Sequence, residues 1–447
     1  MQASLAARGF TQAPDLESAE YHLINTCAFI EEAREETIAA VLQAGEQKEN
    51  TPGRKLILAG CFAERYAAAI PGELPEVDFS FGTGLYEKTG TLLEEKFQPD
   101  LQHDLQTGLQ VDFQPGLAQL ARSGSDAAVL QARAGKPYAP VKISDGCDRK
   151  CAFCSIPSFR GRFRDRDEKD ILKECRELAR TGVREICLVS QDTNAYGGSP
   201  QKLADLLARL EEIEEVRRLR PLYLYPDART EKLLRALASL KLSKLAPYLE
   251  SPVQHASPKI LKAMKRGGSA ESYAELFSLA RSLFPELEIR TSFLIGFPGE
   301  TSRDIDALLD FLDKTRPEKL ALFGYSQEEN TSAYPLGAGA GTEIAGRINL
   351  VREKHLEILK EIQMQRVDRV YSCMADEITS EGLICRRPQD APQIDEVVFT
   401  SLDRKAQSGI QPGDILDVRI TGFYEYDLSG VPRIQDSAQG EDFLETN

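Results

Sequence analysis

Apolar and polar positions along residues 1–97 alternate in the manner of strands and helices. The strand-like runs are Tyr21–Thr26, Lys55–Ala59 and Asp78–Phe81. Between the first two runs, Phe29–Gln47 carries apolar residues at helical spacing, with glutamates at the solvent-facing positions. Strands that alternate with helices predict a parallel sheet. Such a sheet would bring Cys27 and Cys61 to one edge, because each directly follows a strand.

A regular rhythm begins at Lys136, where six strand-like runs are each followed by an amphipathic helical pattern. The strand candidates are Pro140–Ser144, Glu185–Ser190, Leu219–Tyr225, Tyr248–Val253, Glu288–Ile295 and Lys319–Tyr325. The helix candidates are Glu168–Thr181, Gln201–Ile213, Thr230–Leu240, Pro258–Lys265, Ser272–Leu283 and Arg303–Lys314. Six successive strand–helix units predict a parallel barrel or partial barrel, with its active site on the loops after the strands. The run Thr342–Val370 predicts a long closing helix.

The pattern changes to short alternating strands after residue 370. The candidates are Asp376–Thr379, Gly382–Arg386, Glu396–Thr400, Ile415–Thr421 and Phe423–Tyr426, with turns at Gln411-Pro-Gly-Asp and Leu428-Ser-Gly. They predict a small antiparallel barrel of OB-like size. The predicted fold class is therefore α/β, with an N-terminal parallel-sheet domain, a central partial barrel and a C-terminal β-barrel. The expected boundaries are 1–103, a Gln-rich linker at 104–132, 133–366, 367–436 and a tail at 437–447.

Composition and charge narrow the class of protein. The chain has 447 residues, 42% of them hydrophobic and 28% charged, which is ordinary for a multidomain globular protein. Its net charge of −15 argues against a protein held on nucleic acid by phosphate neutralisation, so stable nucleic-acid binding is not expected. No apolar run approaches the roughly 18 residues of a membrane span, and the first residues lack a secretory pattern. A cytoplasmic protein is expected.

The nine cysteines divide into two groups by their sequence context. An odd number without an export signal disfavours a disulfide framework. Those in polar or Gly-flanked turns are Cys27, Cys61, Cys147, Cys151 and Cys154. Those within amphipathic or strand-like segments are Cys175, Cys187, Cys373 and Cys385, and they are expected to be small buried apolar residues.

The strongest chemical signal is the run Asp145-Gly-Cys147-Asp-Arg-Lys-Cys151-Ala-Phe-Cys154, directly after the first barrel strand. Three thiolates on one short loop can hold three irons of a [4Fe–4S] cube and leave the fourth iron open. A zinc site would need four ligands, or three and a water, and no histidine or fourth cysteine lies nearby. Incidental thiols are the alternative. The strand-end position favours a cluster, because a barrel places its chemistry there.

This segment resembles the radical S-adenosylmethionine enzymes. The resemblance implies that the open iron binds the methionyl amine and carboxylate, and that the sulfonium is reduced to a 5′-deoxyadenosyl radical. Phe153 matches the aromatic residue of that family between the second and third cysteines. Further segments resemble methylthiotransferases: Asn25-Thr-Cys27, Gly60-Cys61, Cys154-Ser-Ile-Pro-Ser-Phe-Arg160-Gly-Arg-Phe-Arg-Asp-Arg166, Ser190-Gln-Asp-Thr-Asn-Ala-Tyr-Gly197, Pro252-Val-Gln-His-Ala-Ser257 and Arg290-Thr-Ser-Phe-Leu-Ile-Gly296-Phe-Pro-Gly299-Glu-Thr301. With a TRAM domain as the small barrel, the resemblance covers nearly the whole chain.

Three features favour the RimO type, whose substrate is an aspartate of small-subunit ribosomal protein twelve. Gln254-His-Ala-Ser257 resembles that type, where tRNA enzymes usually carry Gln-Ser-Gly-Ser, and so do Asp390-Ala-Pro-Gln-Ile-Asp395 and Tyr424-Glu-Tyr-Asp-Leu428. Residues 371–447 hold 15 acidic and 6 basic residues, a net charge of −9, which suits a basic protein better than RNA. The expected reaction adds a methylthio group to the aspartate β-carbon. A tRNA adenosine methylthiotransferase and a non-catalytic iron–sulfur protein are the alternatives.

The resemblance also implies a second [4Fe–4S] cluster held by three cysteines of the N-terminal domain. Only Cys27 and Cys61 match that pattern, and the third ligand and the first strand are expected to be missing. Either the start is set too late, which is the preferred interpretation, or this copy has lost the cluster. The family further implies a sulfur donor and a reductant such as flavodoxin or ferredoxin.

Other candidate site residues fall near the ends of predicted barrel strands. Gln191, Gln254 and Arg290 are candidates for binding S-adenosylmethionine, although structural roles in the loops are equally compatible with their positions. His255 could be a catalytic base, but a hydrogen-bonded structural histidine is the favoured interpretation. No catalytic residue is predicted beyond the cluster ligands.

Overall fold

A computed structural model describes residues 1–28, 31–97, 135–402, 407, 409–434 and 442–443 of the protein. The predicted linker at 104–132 lies outside these residues, as does most of the predicted tail at 437–447. The described chain forms an N-terminal parallel sheet, a central partial barrel and a C-terminal closed barrel. This order agrees with the predicted fold class.

The N-terminal unit is a three-stranded parallel sheet with helices on both faces. Its strands, in the order β1-β2-β3, are β1 (Tyr21–Thr26), β2 (Lys55–Gly60) and β3 (Phe79–Phe81). Its helices are α1 (Gln2–Ala6), α2 (Glu31–Glu49), α3 (Cys61–Arg65), α4 (Ile70–Glu73) and α5 (Thr89–Phe97). Leu56 and Leu58 pack on one face of the central strand and Ile57 on the other. Burial on both faces is why β2 reads as a continuous apolar run.

The central unit contains six parallel strands, as predicted. They are β4 (Tyr138–Lys142), β7 (Glu185–Val189), β8 (Arg218–Pro221), β9 (Tyr248–Glu250), β10 (Glu288–Ile295) and β11 (Lys319–Gly324). Strands β4, β7 and β8 form one sheet, and β9, β10 and β11 form another. A parallel bridge between Leu219 and Leu245 spans the gap, and Leu224 N–H donates to Glu250 O at 3.0 Å. The two sheets therefore continue as one open barrel wall.

Helices alternate with these strands along the chain, and a short hairpin follows the first strand. The helices are α6 (Ile156–Phe159), α7 (Glu168–Arg180), α8 (Pro200–Glu211), α9 (Ala228–Leu240), α10 (Pro258–Ala263), α11 (Ala270–Leu283), α12 (Ser302–Thr315) and the closing helix α13 (Ile344–Arg366). The hairpin pairs β5 (Ser144–Asp145) with β6 (Arg164–Asp165). The cysteine run lies in the loop between these two strands, so their pairing fixes both ends of that loop.

Strand β4 is displaced from the predicted Pro140–Ser144 to Tyr138–Lys142, and two further barrel strands end well before the apolar pattern suggests. The predicted strand Leu219–Tyr225 stops at Pro221, because proline has no N–H to donate and Tyr223 turns into the left-handed region with φ +58°. The predicted strand Tyr248–Val253 stops at Glu250. Beyond Glu250 the chain stays beside β10 through single contacts, among them Ser251 N–H to Arg290 O at 2.9 Å and the bridge of Gln254 with Phe293.

The C-terminal unit is a closed five-stranded barrel, as predicted. Its strands are β12 (Val370–Ile378), β13 (Gly382–Arg386), β14 (Val398–Ser401), β15 (Ile415–Tyr424) and β16 (Asp427–Ile434), and β17 (Asp442–Phe443) pairs outside with β16. The order β14-β13-β12-β15-β16 closes through a parallel pairing of β14 with β16. Cys373, Cys385, Val418 and Leu428 are among its buried core residues.

Several predicted boundaries in this region are wrong. Strand β12 begins at Val370 rather than Asp376, and the predicted strands Ile415–Thr421 and Phe423–Tyr426 merge into the single strand β15, which ends at Tyr424. The turn expected at Leu428-Ser-Gly lies instead at Glu425–Tyr426, where Glu425 adopts φ +51°. Leu428 is buried in the barrel core, so apolar packing draws it into a strand. The closing helix ends at Arg366 rather than Val370, because Val370 already pairs with Arg419 in the barrel.

A network of buried charges joins the partial barrel to the C-terminal barrel. Glu185 accepts hydrogen bonds from Arg220 Nε at 2.7 Å, Arg386 Nη1 at 2.9 Å and Arg218 Nη1 at 3.4 Å. Burial alone would raise the pKa of Glu185, but the three guanidinium groups outweigh it and hold the pKa well below its ordinary value. The two barrels are therefore joined by fully ionised groups.

Part of the acidic charge of residues 371–447 is turned inward at this joint. The acidic residues paired there with buried or half-buried cations are Asp376, Asp390, Asp395 and Glu396. The net charge of −9 therefore overstates the surface charge that this unit could offer to a basic partner, and the expectation applies only to the remaining exposed carboxylates.

The N-terminal sheet docks on the barrel through Glu328, which follows β11. Its carboxylate accepts from Arg34 Nη1 at 2.5 Å and from Arg65 Nη1 at 2.6 Å. The same Arg65 nitrogen donates to Ala28 O at 2.8 Å, so the contact also holds the peptide next to Cys27. No helix in the described ranges is long and apolar enough to cross a membrane.

Candidate active site

Three cysteines share one loop at the carboxyl end of β4, as the sequence predicts. Gly146 precedes Cys147 with φ +75°, and a Cβ there would lie 2.2 Å from Arg162 O. Only glycine fits this approach of the two hairpin strands. Cys154 N–H donates to Cys151 O at 3.2 Å, which closes a tight turn. Cys147 is buried, whereas Cys151 and Cys154 are half-buried.

The thiols influence one another electrostatically. Burial raises the pKa of Cys147 to about 11, and the neighbouring Asp192 and Cys151 add to the rise. Burial also raises the pKa of Cys154 to about 12, against the opposing effect of the Ile156 N–H. Such thiols stay protonated unless a metal centre displaces their protons. Free thiolates are therefore disfavoured at Cys147 and Cys154, and a bound metal centre would have to displace their protons.

The donor set fits a cluster better than a single ion. Across the described ranges, no group of three or more His, Cys, Asp or Glu side chains is arranged to hold one metal ion. Zinc would require sulfurs about 2.3 Å from one centre. A [4Fe–4S] cube takes each thiolate on a different iron, so its three ligands do not have to converge on one point. The residues present fit that group.

Neighbouring segments hold the cysteine loop in place. Ala152 N–H donates to Met264 O, and Ala333 N–H donates to Ala152 O, both at 2.8 Å. Ala152 and Phe153 pack with Leu294 and other apolar residues near the strand ends. These contacts make the loop part of the barrel mouth.

Cys27 and Cys61 meet at one edge of the N-terminal sheet, as predicted. Gly60 has φ +114°, and a Cβ there would lie 2.5 Å from Thr26 O, so the two strand ends touch. Cys27 is exposed and Cys61 half-buried. Burial raises the pKa of Cys61, and the Arg160 guanidinium opposes the rise. Within the part of the chain that the structure describes, no third ligand completes this pair, so we derive no chemical step from it.

Gln191 and Gln254 lie where the strand pattern places them. Gln191 follows β7, and its Oε1 atom is buried without a hydrogen-bond partner among the described residues. Gln254 follows β9 in the left-handed region with φ +73°. Its N–H donates to Ser292 O and its carbonyl accepts from Leu294 N, both at 2.8 Å. The backbone of Gln254 is therefore fixed beside β10.

Arg290 is not at a strand end, contrary to the sequence expectation. It is the third residue of β10, where its Nη1 donates to Asp395 Oδ1 at 2.6 Å and its Nε lies 3.7 Å from Glu250 Oε1. The bounds of β10 agree with the prediction. Arg290 begins the motif near the amino end of this strand, whereas a site residue was expected at the carboxyl end. Arg290 thus belongs to the contact with the C-terminal barrel.

His255 has both ring nitrogens engaged. Nδ1 accepts from the N–H groups of Ala256 and Ser257 at 2.9 Å, so Nε2 carries the proton and faces Glu300 Oε2 at 3.3 Å. The side chains of His255 and Glu300 are fully buried. This agrees with the favoured structural interpretation of His255.

A charged set that the sequence expectations do not include surrounds the cysteine loop. Arg149, inside the cysteine motif, binds Asp192 Oδ2 at 2.6 Å and Asp227 Oδ2 at 2.8 Å. Each carboxylate follows a barrel strand, which is the signal that could have identified them. Burial raises the pKa of Asp192 despite the guanidinium of Arg149 beside it.

Comparison with known proteins gives the same order of domains. Residues 1–82 match Uncharacterized protein family UPF0004, residues 141–312 match the radical SAM superfamily, and residues 367–432 match the TRAM domain. The matches fall on the N-terminal sheet, the partial barrel and the C-terminal barrel respectively.

Curated relatives named "Ribosomal protein uS12 methylthiotransferase RimO" match along nearly the full chain. The protein of Leptospira biflexa is 43% identical over 431 residues, which cover 96% of this chain and 92% of the relative. The protein of Thermotoga maritima is 38% identical over 424 residues, which cover 93% of this chain and 92% of the relative. Among solved structures, the radical S-adenosylmethionine methyltransferase TsrM from Kitasatospora setae shares the fold. Its TM-score is 0.53 at 14% identity, over 71% of this chain and 66% of TsrM.

Proposed function

Because the chain belongs to the ribosomal protein uS12 methylthiotransferase (RimO) family, we propose that it adds a methylthio group to an aspartate of that ribosomal protein. Protein uS12 is the small-subunit protein twelve that the sequence pattern favours. The modified atom is the aspartate β-carbon, which carries no acidic proton and no leaving group. Neither general acid–base nor nucleophilic catalysis acts on such a carbon, so the reaction requires radical chemistry carried by a cofactor.

One observation carries this proposal. The loop of Cys147, Cys151 and Cys154 ends the first strand of a partial barrel, in a chain 43% identical to a RimO protein over 96% of its length. Identity along both flanking domains argues for the activity of the whole family and not merely for its shared barrel. The conserved fold and the donor set therefore point to the same reaction class.

In this proposal, Cys147, Cys151 and Cys154 hold a [4Fe–4S] cluster as thiolates. When bound, the cluster supplies the electron that cleaves S-adenosylmethionine and generates a radical able to abstract hydrogen from carbon. Ala152 and Phe153 pack in the apolar cluster at the barrel mouth, which holds the loop beside the strand ends. Fixed positioning matters because the radical must form next to the reacting carbon.

We also propose that Gln191 and Gln254 bind S-adenosylmethionine. The buried Oε1 atom of Gln191 accepts no hydrogen bond from the described residues, and a bound ligand could supply the donor. Gln254 lies in the loop after β9, where a parallel barrel places its ligand-binding residues, and its backbone is fixed in the left-handed region. Cys27 and Cys61 are proposed as two ligands of a second cluster whose third ligand is not among the described residues, and a reductant and a sulfur donor are required partners.

Anaerobic reconstitution tests the proposal. The chain is incubated with S-adenosylmethionine, a reductant, a sulfur donor and ribosomal protein uS12, and the products are analysed by mass spectrometry. We expect 5′-deoxyadenosine and a methylthio-aspartate peptide, both lost in Cys151→Ala and kept in the buried-cysteine control Cys175→Ala. Modification of a tRNA adenosine, with uS12 unchanged, would contradict the proposed substrate. Cluster binding without 5′-deoxyadenosine would contradict the proposed reaction.

A further inference from the structure

We propose that Arg266 is a positioning residue for the iron–sulfur cluster, held against Cys151 by the ring of Tyr225. The inference rests on the proposed function in assuming that Cys151 ligates a cluster. It goes beyond that function, because neither residue belongs to the cysteine motif and neither has been assigned a role above.

Tyr225 lies between two guanidinium groups. The Cζ atom of Arg149 is 3.8 Å from the centre of its ring, and the Cζ atom of Arg266 is 4.2 Å from the same centre. Two guanidinium groups this close to one ring centre must lie on opposite faces. The ring is therefore stacked between an arginine of the cysteine loop and one that follows α10. Each contact is a cation–π interaction.

Both arginines reach the cysteine sulfurs. The backbone N–H of Arg149 donates to Cys147 Sγ at 3.4 Å, and Arg266 Nη1 donates to Cys151 Sγ at 3.7 Å. Arg266 Nη2 also donates to Pro252 O, which anchors the guanidinium group of Arg266 to the segment after β9. The stack thus joins three elements of the barrel mouth to two of the three cysteines.

The two guanidinium groups differ in their charge balance. Arg149 is neutralised by Asp192 and Asp227. Arg266 is only 8% exposed. It has no carboxylate partner among the described residues, and its buried Nε atom has no hydrogen-bond acceptor there. A buried cation without a counter-charge is costly, so this position calls for an anion. A cube bound by three thiolates carries net negative charge and would lie where Arg266 Nη1 already points.

A hydrogen-bonding cation beside a ligating sulfur favours the reduced cluster, because reduction adds negative charge. Arg266 is therefore expected to raise the reduction potential. Tyr225 supports this effect by confining a long side chain that would otherwise sample several rotamers. Loss of the ring should consequently resemble loss of the guanidinium.

The test uses the full chain, reconstituted anaerobically with iron and sulfide. Iron content, the electron paramagnetic resonance spectrum of the reduced cluster and its midpoint potential are measured without S-adenosylmethionine. We expect Arg266→Met and Tyr225→Leu to shift the potential to more negative values. Arg266→Lys should partly restore it, and Tyr225→Phe should leave it unchanged. Arg162→Met is the matched control. It removes the same charge beside the same loop, but from a side chain that is exposed to solvent.

An unchanged potential and spectrum in Arg266→Met, with full iron content, would overturn the proposal. Loss of iron in Arg266→Met with retention in Arg266→Lys would support it, since only the cation differs. If both variants lose iron, Tyr225→Leu decides: a shifted potential supports the role of the stack, and an unchanged one refutes it. Reduced affinity for S-adenosylmethionine with an unchanged potential would show that Arg266 binds the substrate carboxylate instead. Failure of the proposed function appears separately, as wild-type protein that holds the cluster but forms no 5′-deoxyadenosine.

Discussion

Arg160 of the partial barrel donates a hydrogen bond from Nη2 to the Sγ atom of Cys61 in the N-terminal unit, at 3.2 Å. The Nη1 atom of the same guanidinium lies 3.6 Å from Asp145, two residues before Cys147. One side chain therefore connects the two cysteine sites, and it does so from the segment that follows the cysteine motif. This contact fixes the orientation of the N-terminal sheet edge toward the barrel mouth.

Arg160→Met should loosen this contact. Without the guanidinium, the start of α3 loses its link to the barrel, and we expect faster amide hydrogen exchange across Cys61–Arg65. Arg160→Lys keeps the charge and should retain part of the protection. Arg162→Met is the control, because that side chain is 91% exposed and its loss should leave the exchange unchanged. Equal exchange in wild type and Arg160→Met would show that packing alone docks the sheet.

Glu328→Gln should weaken the same domain contact from its other side. Burial alone would raise the pKa of Glu328, but hydrogen bonds from Arg34, Ser326 and Arg65 hold it below its ordinary value, so the group is ionised near neutral pH. Removing this charge leaves Arg65, with a side chain 4% exposed, without its counter-ion. We expect a loss of about 3 kcal/mol in the free energy of unfolding, measured by urea denaturation.

Glu329→Gln provides the matched control for that change. Glu329 is the next residue along the chain and is exposed, so its neutralisation should cost no more than about 0.5 kcal/mol. A similar loss in both variants would mean that net charge, rather than the ion pairs of Glu328, determines the stability of the contact.

Strand periodicity was sufficient to predict the bounds of one strand in each of the three units. The bounds of β1, β10 and β13 agree with the sequence expectation residue for residue. Each is an uninterrupted run whose apolar residues are drawn into a core on at least one face. The errors arise where a long-range contact overrides the local pattern, as at Leu428, which the closing pair of strands buries in the C-terminal barrel.

The ligand loop was predictable from the sequence, whereas its supports were not. Cys147, Cys151 and Cys154 lie within eight residues, so their spacing alone indicates a shared site. Tyr225 and Arg266 contribute to the same site from loops distant in sequence, and no local pattern marks them. The buried pairing of Asp395 could not be predicted either, because its partner Arg290 lies 105 residues away. Net charge counts residues but does not distinguish buried pairs from surface charge.

The buried cysteines provide a test of the division between ligands and packing residues. Cys175 and Cys187 are 0% and 3% exposed, and the structure packs Cys175 in the main core. Their replacement by alanine should cost about 1–2 kcal/mol of stability without removing iron. Alanine at Cys147, Cys151 or Cys154 should abolish the barrel cluster, as measured by iron analysis. Loss of a whole cluster's iron in Cys175→Ala would contradict this division.

Glu250 should make stability depend on pH inside the barrel. Burial raises its pKa to about 7, and Arg290 and the Tyr223 N–H only partly oppose the rise. Between the ordinary value near 4.5 and pH 7, the folded chain holds a proton that the unfolded chain has released, so stability falls as pH rises. The fall should be on the order of 3 kcal/mol in the cluster-free chain, measured by urea denaturation across this range. Glu250→Gln should abolish it, whereas the exposed control Glu231→Gln should not. An equal pH dependence in wild type and Glu250→Gln would mean that the carboxyl is ionised in the folded barrel and fully compensated by Arg290.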